Sequence, residues 1–172
     1  RAGAVALSDG SVPIASTVVL RNILEYARGF RATLIFRPAD PELDLLGVVN
    51  ESAVSVRIGL RGNPPATEEI GVARILALLA AMPVAPRVHL SHLGTAAAVA
   101  LVAQAAKSGL PVSASTPARN LILDEEVLDG FGYESRYRLH PPLRSRRDRE
   151  ALVEAVIEGQ LWLCADHQPR AP

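Results

Sequence analysis

The sequence predicts an α/β protein built on a parallel sheet, and two observations carry that reading. Short, nearly continuous apolar runs of strand length, such as Ala32–Phe36 and Leu161–Cys164, are what strands buried on both faces look like. Between them lie longer stretches whose apolar residues recur at helical spacing, so strand and helix alternate along the chain. Such alternation implies parallel strands with right-handed crossovers, and it gathers ligand chemistry at the carboxyl ends of the strands. Periodicity alone leaves two architectures open, an open doubly wound sheet and part of a (β/α)8 barrel. No glycine-rich phosphate loop follows the first strand, which weakens a nucleotide-binding reading.

Taken in order, Ala2–Leu7 reads as a strand and Ser8-Asp9-Gly10-Ser11 as a turn. Ser16 or Thr17 is a plausible N-cap for a helix ending near Gly29, with Val18, Val19, Ile23, Tyr26, Ala27 and Phe30 at helical spacing. Ala32–Phe36 is the second strand, delivering Arg37 at its tip before the loop Pro38-Ala39-Asp40-Pro41. Asn50-Glu51-Ser52 opens a short helix to about Leu60, broken by Arg61-Gly62-Asn63-Pro64-Pro65. Ala66–Met82 is a longer helix with Glu68 and Glu69 at its N-terminus, where the macrodipole favours negative charge. Arg87–His92 is the third strand, Thr95–Lys107 a helix closed by Gly109, and Pro111–Thr116 the fourth strand. Pro117–Arg147 is the least regular stretch, with a short helix around Asp124–Leu128 and an ordered loop at His140-Pro141-Pro142, where consecutive prolines forbid helix and central strand. Asp148–Gly159 is a last amphipathic helix leading into the fifth strand, Leu161–His167.

With 172 residues and 49% apolar residues, the chain has material for a packed core. Eighteen basic and 18 acidic residues cancel, so nothing steers it toward nucleic acid or an anionic membrane. No run approaches the roughly 18 apolar residues of a membrane span, and no signal peptide is visible, so a soluble cytoplasmic protein is expected. Cys164 is the single cysteine and lies inside an apolar strand, unsuited to an exposed thiolate. The start at Arg1 on the threshold of an apolar run, and the end soon after His167, suggest a piece of a longer chain.

Candidate chemistry centres on the four histidines, His89, His92, His140 and His167, and on Asp166 at the end of the fifth strand. On a strand, His89 and His92 point to opposite faces, so they are not a joint metal pair; His92 is placed to line a mouth and His89 to pack outward under a helix. Asp166 is either a ligand or merely a turn former. Arg144, held in the Pro-Pro loop, suits an anion if that loop overhangs the strand tips, and a solvent-exposed or intrachain ion-pair role equally well. A catalytic zinc needs about three protein ligands and an open position. His92 and Asp166 supply two, no His-x-His occurs, and Arg37 is a cation at a neighbouring tip.

Several motifs resemble the dihydroorotase family, in the same order and at similar spacing: His92-Leu93-Gly94-Thr95, Gly109-Leu110-Pro111-Val112, Pro141-Pro142-Leu143-Arg144-Ser145 followed by Asp148-Arg149-Glu150-Ala151-Leu152, and Ala165-Asp166-His167-Gln168-Pro169. The resemblance implies a partial (β/α)8 TIM barrel of the amidohydrolase type, with residues 1–172 as the C-terminal part of the domain and the five strands as the fourth to eighth of the barrel. It also implies zinc-dependent hydrolysis of a cyclic amide, with His92 and Asp166 at metal-ligand positions, Asp166 doubling as general base, and His140, Arg144 and His167 at substrate-binding positions.

The departures from the family pattern point the other way. A fifth-strand metal histidine is replaced by Arg37, an asparagine before Pro-Pro by His140, a histidine pair by Ala118-Arg119, and a last histidine by Arg170. A guanidinium in place of a zinc ligand removes a donor and adds a repulsion of order 1 kcal/mol or more toward a dication. These ligand positions therefore read as vestigial, with no metal or other cofactor expected. The pattern looks like the noncatalytic dihydroorotase homologues that some bacteria pair with aspartate carbamoyltransferase, which implies an oligomer with that enzyme's catalytic chain. The alternative is an active zinc amidohydrolase whose missing ligands lie in residues not present here. An ion pair between Asp166 and Arg37, replacing the metal as a tie between strands, is a further expectation.

Overall fold

The computed structural model describes residues 3–10, 12–30, 32–45, 47–130, 135–137 and 139–166. Its frame is β1 (Ala6–Ser8), α1 (Thr17–Ala27), β2 (Thr33–Phe36), α2 (Pro41–Asp44), β3 (Val49–Asn50), α3 (Ala53–Arg57), β4 (Gly62–Asn63), α4 (Ala66–Ala80), β5 (Val88–Leu90), α5 (Ala96–Lys107), β6 (Val112–Pro117), α6 (Val127–Gly130), α7 (Arg146–Ile157) and β7 (Trp162–Cys164). Short 3-10 turns occupy Ala118–Leu121 and Ser135–Tyr137.

Five strands form one parallel sheet in the order β1-β2-β5-β6-β7, each paired to the one of these five that precedes it, while β3 and β4 pair apart from them. This order decides between the two architectures left open by periodicity. A doubly wound sheet reverses direction at a switch point, whereas right-handed crossovers that always step the same way lay every helix on one face. The fold is thus a partial (β/α)8 barrel with its helices outside.

Registered residues show which face is which. Leu34 lies beside Val88, and Phe36 beside Leu90 and then Ala114; all five are buried in one core with Leu20 and Leu24 of α1, Val72, Ile75 and Leu79 of α4, Val99 and Val102 of α5 and Leu152 of α7. The alternate row, Ser8, Ile35, His89 and Ser113, faces the opposite side, the barrel interior. His89 therefore does not pack outward under a helix: Val88 and Leu90 take the helix side, and the period of two leaves His89 inside. Its ring nitrogens sit 2.9 Å from both Ser113 Oγ and Ser115 Oγ. Burial, and then the charge of His92, push this imidazole below its usual value.

Between β2 and α4 the chain makes an excursion read from sequence only as a loop and a helix. Asp40 caps α2, accepting from the backbone N–H groups of Glu42 and Leu43 at 3.1 and 3.0 Å, with Pro41 at the first helical position. The predicted helix to Leu60 shrinks to α3, because Asn50 and the supposed breaker Gly62-Asn63 pair as β3 and β4. This excursion packs through Val49 and Val54 on Leu128 of α6, forming a second small core over one side of the sheet. α6 itself begins at Val127, later than expected. Gly71 lets α4 press on the chain leaving β2, since a Cβ there would lie 2.4 Å from Ala39 N. That contact fixes the backbone next to Arg37.

No helix among the described residues is long and apolar enough to cross a membrane.

Candidate functional site

The carboxyl ends of the strands carry Asp9 after β1, Arg37 after β2, His92 after β5, Arg119 after β6 and Asp166 after β7. His92 is not in the expected strand. β5 ends at Leu90, and His92 turns into the left-handed region at φ 63°, while Asp166 does the same at φ 44° beyond β7. These turns swing both side chains inward, where His92 Nε2 meets Asp166 Oδ1 at 3.0 Å. The other carboxylate oxygen, Oδ2, lies 2.6 Å from Arg119 Nη2. Asp166 reaches across the tip of β6 to do this, so one carboxylate gathers three adjacent strand ends.

The guanidinium that meets Asp166 is therefore Arg119's, and Arg37's is engaged elsewhere. Arg37 is only 5% exposed, and its Nη2 lies 2.6 Å from Asp44 Oδ2 in α2. Its backbone N–H donates to Asp9 Oδ2 at 3.0 Å. His140 Nε2 approaches the same Asp44 oxygen at 3.1 Å. Burial alone would raise the Asp44 carboxyl, but hydrogen bonds from His140 and Arg37, and their charges, hold it well below the usual carboxylate range. Asp44 went unnoticed in the sequence; the signal that could have found it is Asp40-Pro41, an N-cap followed by a first-turn proline, which starts the helix that carries it.

Arg144 packs against Gly94, beyond the tip of β5. It is 5% exposed, and its guanidinium donates to Asn50 Oδ1 at 2.9 Å, Asn63 O at 2.7 Å and Asn63 Oδ1 at 2.9 Å. It is engaged within the chain, clamping β3 and β4 through neutral amide and carbonyl oxygens in place of the ion pair considered from sequence. Glu68 lies close by, wholly enclosed, accepting from the backbone N–H groups of Gly94 and Thr95 and from Thr95 Oγ1 at 2.8–3.0 Å. Burial pushes its carboxyl up against the opposing charge of Arg144 and those hydrogen bonds. Glu125 Oε2 completes the network, accepting from Asn50 Nδ2 at 2.6 Å and Ser52 Oγ at 2.7 Å. Cys164 is half-buried, and burial and then Asp166 push its thiol up, as expected of a residue that is no thiolate. His167 lies outside the described residues.

No family model matches the chain. Individual relatives do. The dihydroorotase of Anaeromyxobacter dehalogenans is 36% identical over 98% of this chain and 39% of its own length. That of Carboxydothermus hydrogenoformans is 37% identical over 99% and 39%, and a dihydroorotase-like protein of Pseudomonas aeruginosa is 42% identical over 96% and 38%. The chain belongs to the dihydroorotase family of amidohydrolases. It spans about 39% of the length of the curated relatives it matches. Among solved structures, D-hydantoinase from Bacillus sp. AR9 superposes with a TM-score of 0.79 at 25% identity, covering 96% of this chain and 38% of that one. Dihydroorotase from Campylobacter jejuni superposes at 0.65 over 99% of this chain and 44% of its own, and at 17% identity it speaks for the fold.

The family resemblance implies zinc, and the residues present do not fit it. Among the described residues no three His, Cys, Asp or Glu side chains cluster as metal donors. His92 Nδ1 is buried without a hydrogen bond, but its Nε2 is spent on Asp166, and that carboxylate already has a guanidinium against it. A single positive charge about 4 Å from a dication opposes it by about 8 kcal/mol at an effective dielectric constant of 20.

Proposed function

We propose that this protein is a noncatalytic dihydroorotase-like subunit of pyrimidine biosynthesis, acting in the cytoplasm in an oligomer with aspartate carbamoyltransferase and supporting that enzyme's assembly and activity. The observation that carries the reading is Arg37. It stands at the strand tip where the family resemblance expects a metal histidine, buried and locked by a 2.6 Å ion pair to Asp44. A side chain so engaged does not swing away to admit a metal, because releasing it leaves a buried charge on each side. The similarity to a protein named dihydroorotase-like, rather than dihydroorotase, is in keeping with it. Two of the other candidate substrate residues are engaged within the chain: Arg144 is buried on Asn50 and Asn63, and His140, half exposed, contacts Asp44.

A second reading, an active zinc amidohydrolase, draws on the convergence of His92 and Asp166 at 3.0 Å, two family ligand positions still side by side. Both are tested on the full-length protein by metal analysis with a dihydroorotate hydrolysis assay, and by carbamoyltransferase activity in cells that lack this chain. The expected result is no stoichiometric zinc, no turnover, and transferase activity that is lost with the chain and returns when it is supplied. Stoichiometric zinc with turnover selects the second reading.

A further inference from the structure

We propose that Arg119 is a built-in cation that takes over the structural work of a metal at this mouth, tying the ends of β5, β6 and β7 together through Asp166. The inference rests on the noncatalytic reading and deepens it. A metal in such a place does two things: it neutralises a buried carboxylate and it cross-links side chains from separate strands. Arg119 does both. Its Nη2 lies 2.6 Å from Asp166 Oδ2, and the carboxylate so neutralised is 7% exposed while the arginine is 22% exposed. The second oxygen is held by His92 Nε2, so residues from three neighbouring strand ends meet at one group.

The backbone supports the same conclusion. Both His92 and Asp166 sit at positive φ, uncommon for non-glycine residues although His and Asp adopt it more readily than most, and fixed side-chain contacts help to keep it. β7 is paired to β6 through only Trp162, Leu163 and Cys164, and its Trp162 and Leu163 are exposed, so packing around the short strand does little to hold the turn that follows. The ion pair supplies the missing constraint. Arg119 is itself fixed by the 3-10 turn Ala118–Leu121 that leaves β6 directly after Pro117. The contact is an ion pair through one guanidinium nitrogen, and the arginine charge is permanent at any working pH.

The test uses the full-length protein and six variants: Arg119→Met, Arg119→Lys, Asp166→Asn, Arg119→Met/Asp166→Asn, Arg119→His, which replaces the cation by a donor, and Arg119→His/Asp166→Asn. Melting temperature and zinc content after equilibration with zinc chloride are read for each. Expected are a wild type that takes up no zinc at this position, a fall of several degrees in Arg119→Met, a smaller fall in Arg119→Lys, and no further fall in the double variant beyond the larger single. Arg119→His is expected to gain about one zinc per chain, lost again when combined with Asp166→Asn. An unchanged melting temperature in Arg119→Met, additive losses in the double variant, or wild-type zinc that disappears in Asp166→Asn overturns the proposal. If the tie fails while the wild type stays zinc-free and the transferase still depends on the chain, the noncatalytic reading stands; if the tie holds but transferase activity is indifferent to the chain, only the partner reading falls.

Discussion

At the scale of single residues, the mouth is organised by carboxylates that accept cations from several elements at once, and Asp44 is the one whose titration can be followed. Its folded-state pKa is depressed, so it contributes stability above the unfolded carboxyl value of about 3.9 and loses it as pH falls through the lower folded value. Asp44→Asn is expected to lose about 3–5 kcal/mol at pH 7, the usual consequence of stranding one partner of a buried pair, here Arg37. The gap to wild type should narrow as pH drops below about 4. Urea midpoints at pH 7 and pH 3 check this, and a gap that stays constant with pH refutes it. Arg144 offers a second case. Lysine presents one point charge where the guanidinium reaches three acceptors on Asn50 and Asn63, so Arg144→Lys should cost about 2 kcal/mol in denaturant unfolding. Arg37 and Arg119 were visible in the sequence as departures from a pattern. Which carboxylate each one meets was not: Arg37 finds Asp44 on a four-residue helix with no apolar period, and Arg119 finds Asp166 only because a left-handed turn beyond β7 brings that carboxylate across the tip of β6.

Among the elements, the helices of more than ten residues and the five main strands were legible because each has an apolar period or run of its own, although in α1 and β7 part of that apolar set is exposed among the described residues. The pieces that were not legible are those whose stabilisation is remote in sequence. β3 and β4 are two residues each, and Asn50 of β3 is held by Glu125 and Arg144, far along the chain. A strand of two residues carries no period. Helix α7 begins at Arg146, two residues earlier than Asp148, because Ser145 is its N-cap. Ser145 Oγ accepts from Asp148 N–H at 3.2 Å, and Asp148 accepts from Ser145 N–H at 3.2 Å. Asp148 also accepts from Ala96 N–H at 2.9 Å, so one carboxylate serves the first turns of both α5 and α7. Ser145→Ala should therefore cost about 1 kcal/mol, as a single lost cap does, and Asp148→Ala about twice that. Equal losses in denaturant unfolding would show that the bond to Ala96 contributes nothing.

Across the whole molecule, sequential strand order leaves β1 and β7 at the two edges of the described sheet, and the exposed apolar residues gather beside them. Helix α1 explains an anomaly in its own sequence. Leu20, Leu24 and Ala27 enter the core, whereas Val19 and Tyr26, with Phe30 just beyond the helix, stay exposed and line a groove of about 400 Å³ with Leu7 of β1. Two apolar stripes on one helix mean two packing partners, only one of which lies within the described residues. At the far edge Trp162, Leu163 and Ile157 are exposed by 70%, 55% and 80%. Parallel strands are normally covered on both faces, and unpaired edges with apolar flanks template association. Residues 1–172 produced alone are therefore expected to self-associate. In size-exclusion chromatography they should elute well above the 18.3 kDa of a single chain, and a charge placed at each edge, Phe30→Lys with Trp162→Lys, should shift them toward it. A stable, compact single chain of these residues would mean that the two edges are content with solvent, and that the second stripe of α1 needs another explanation.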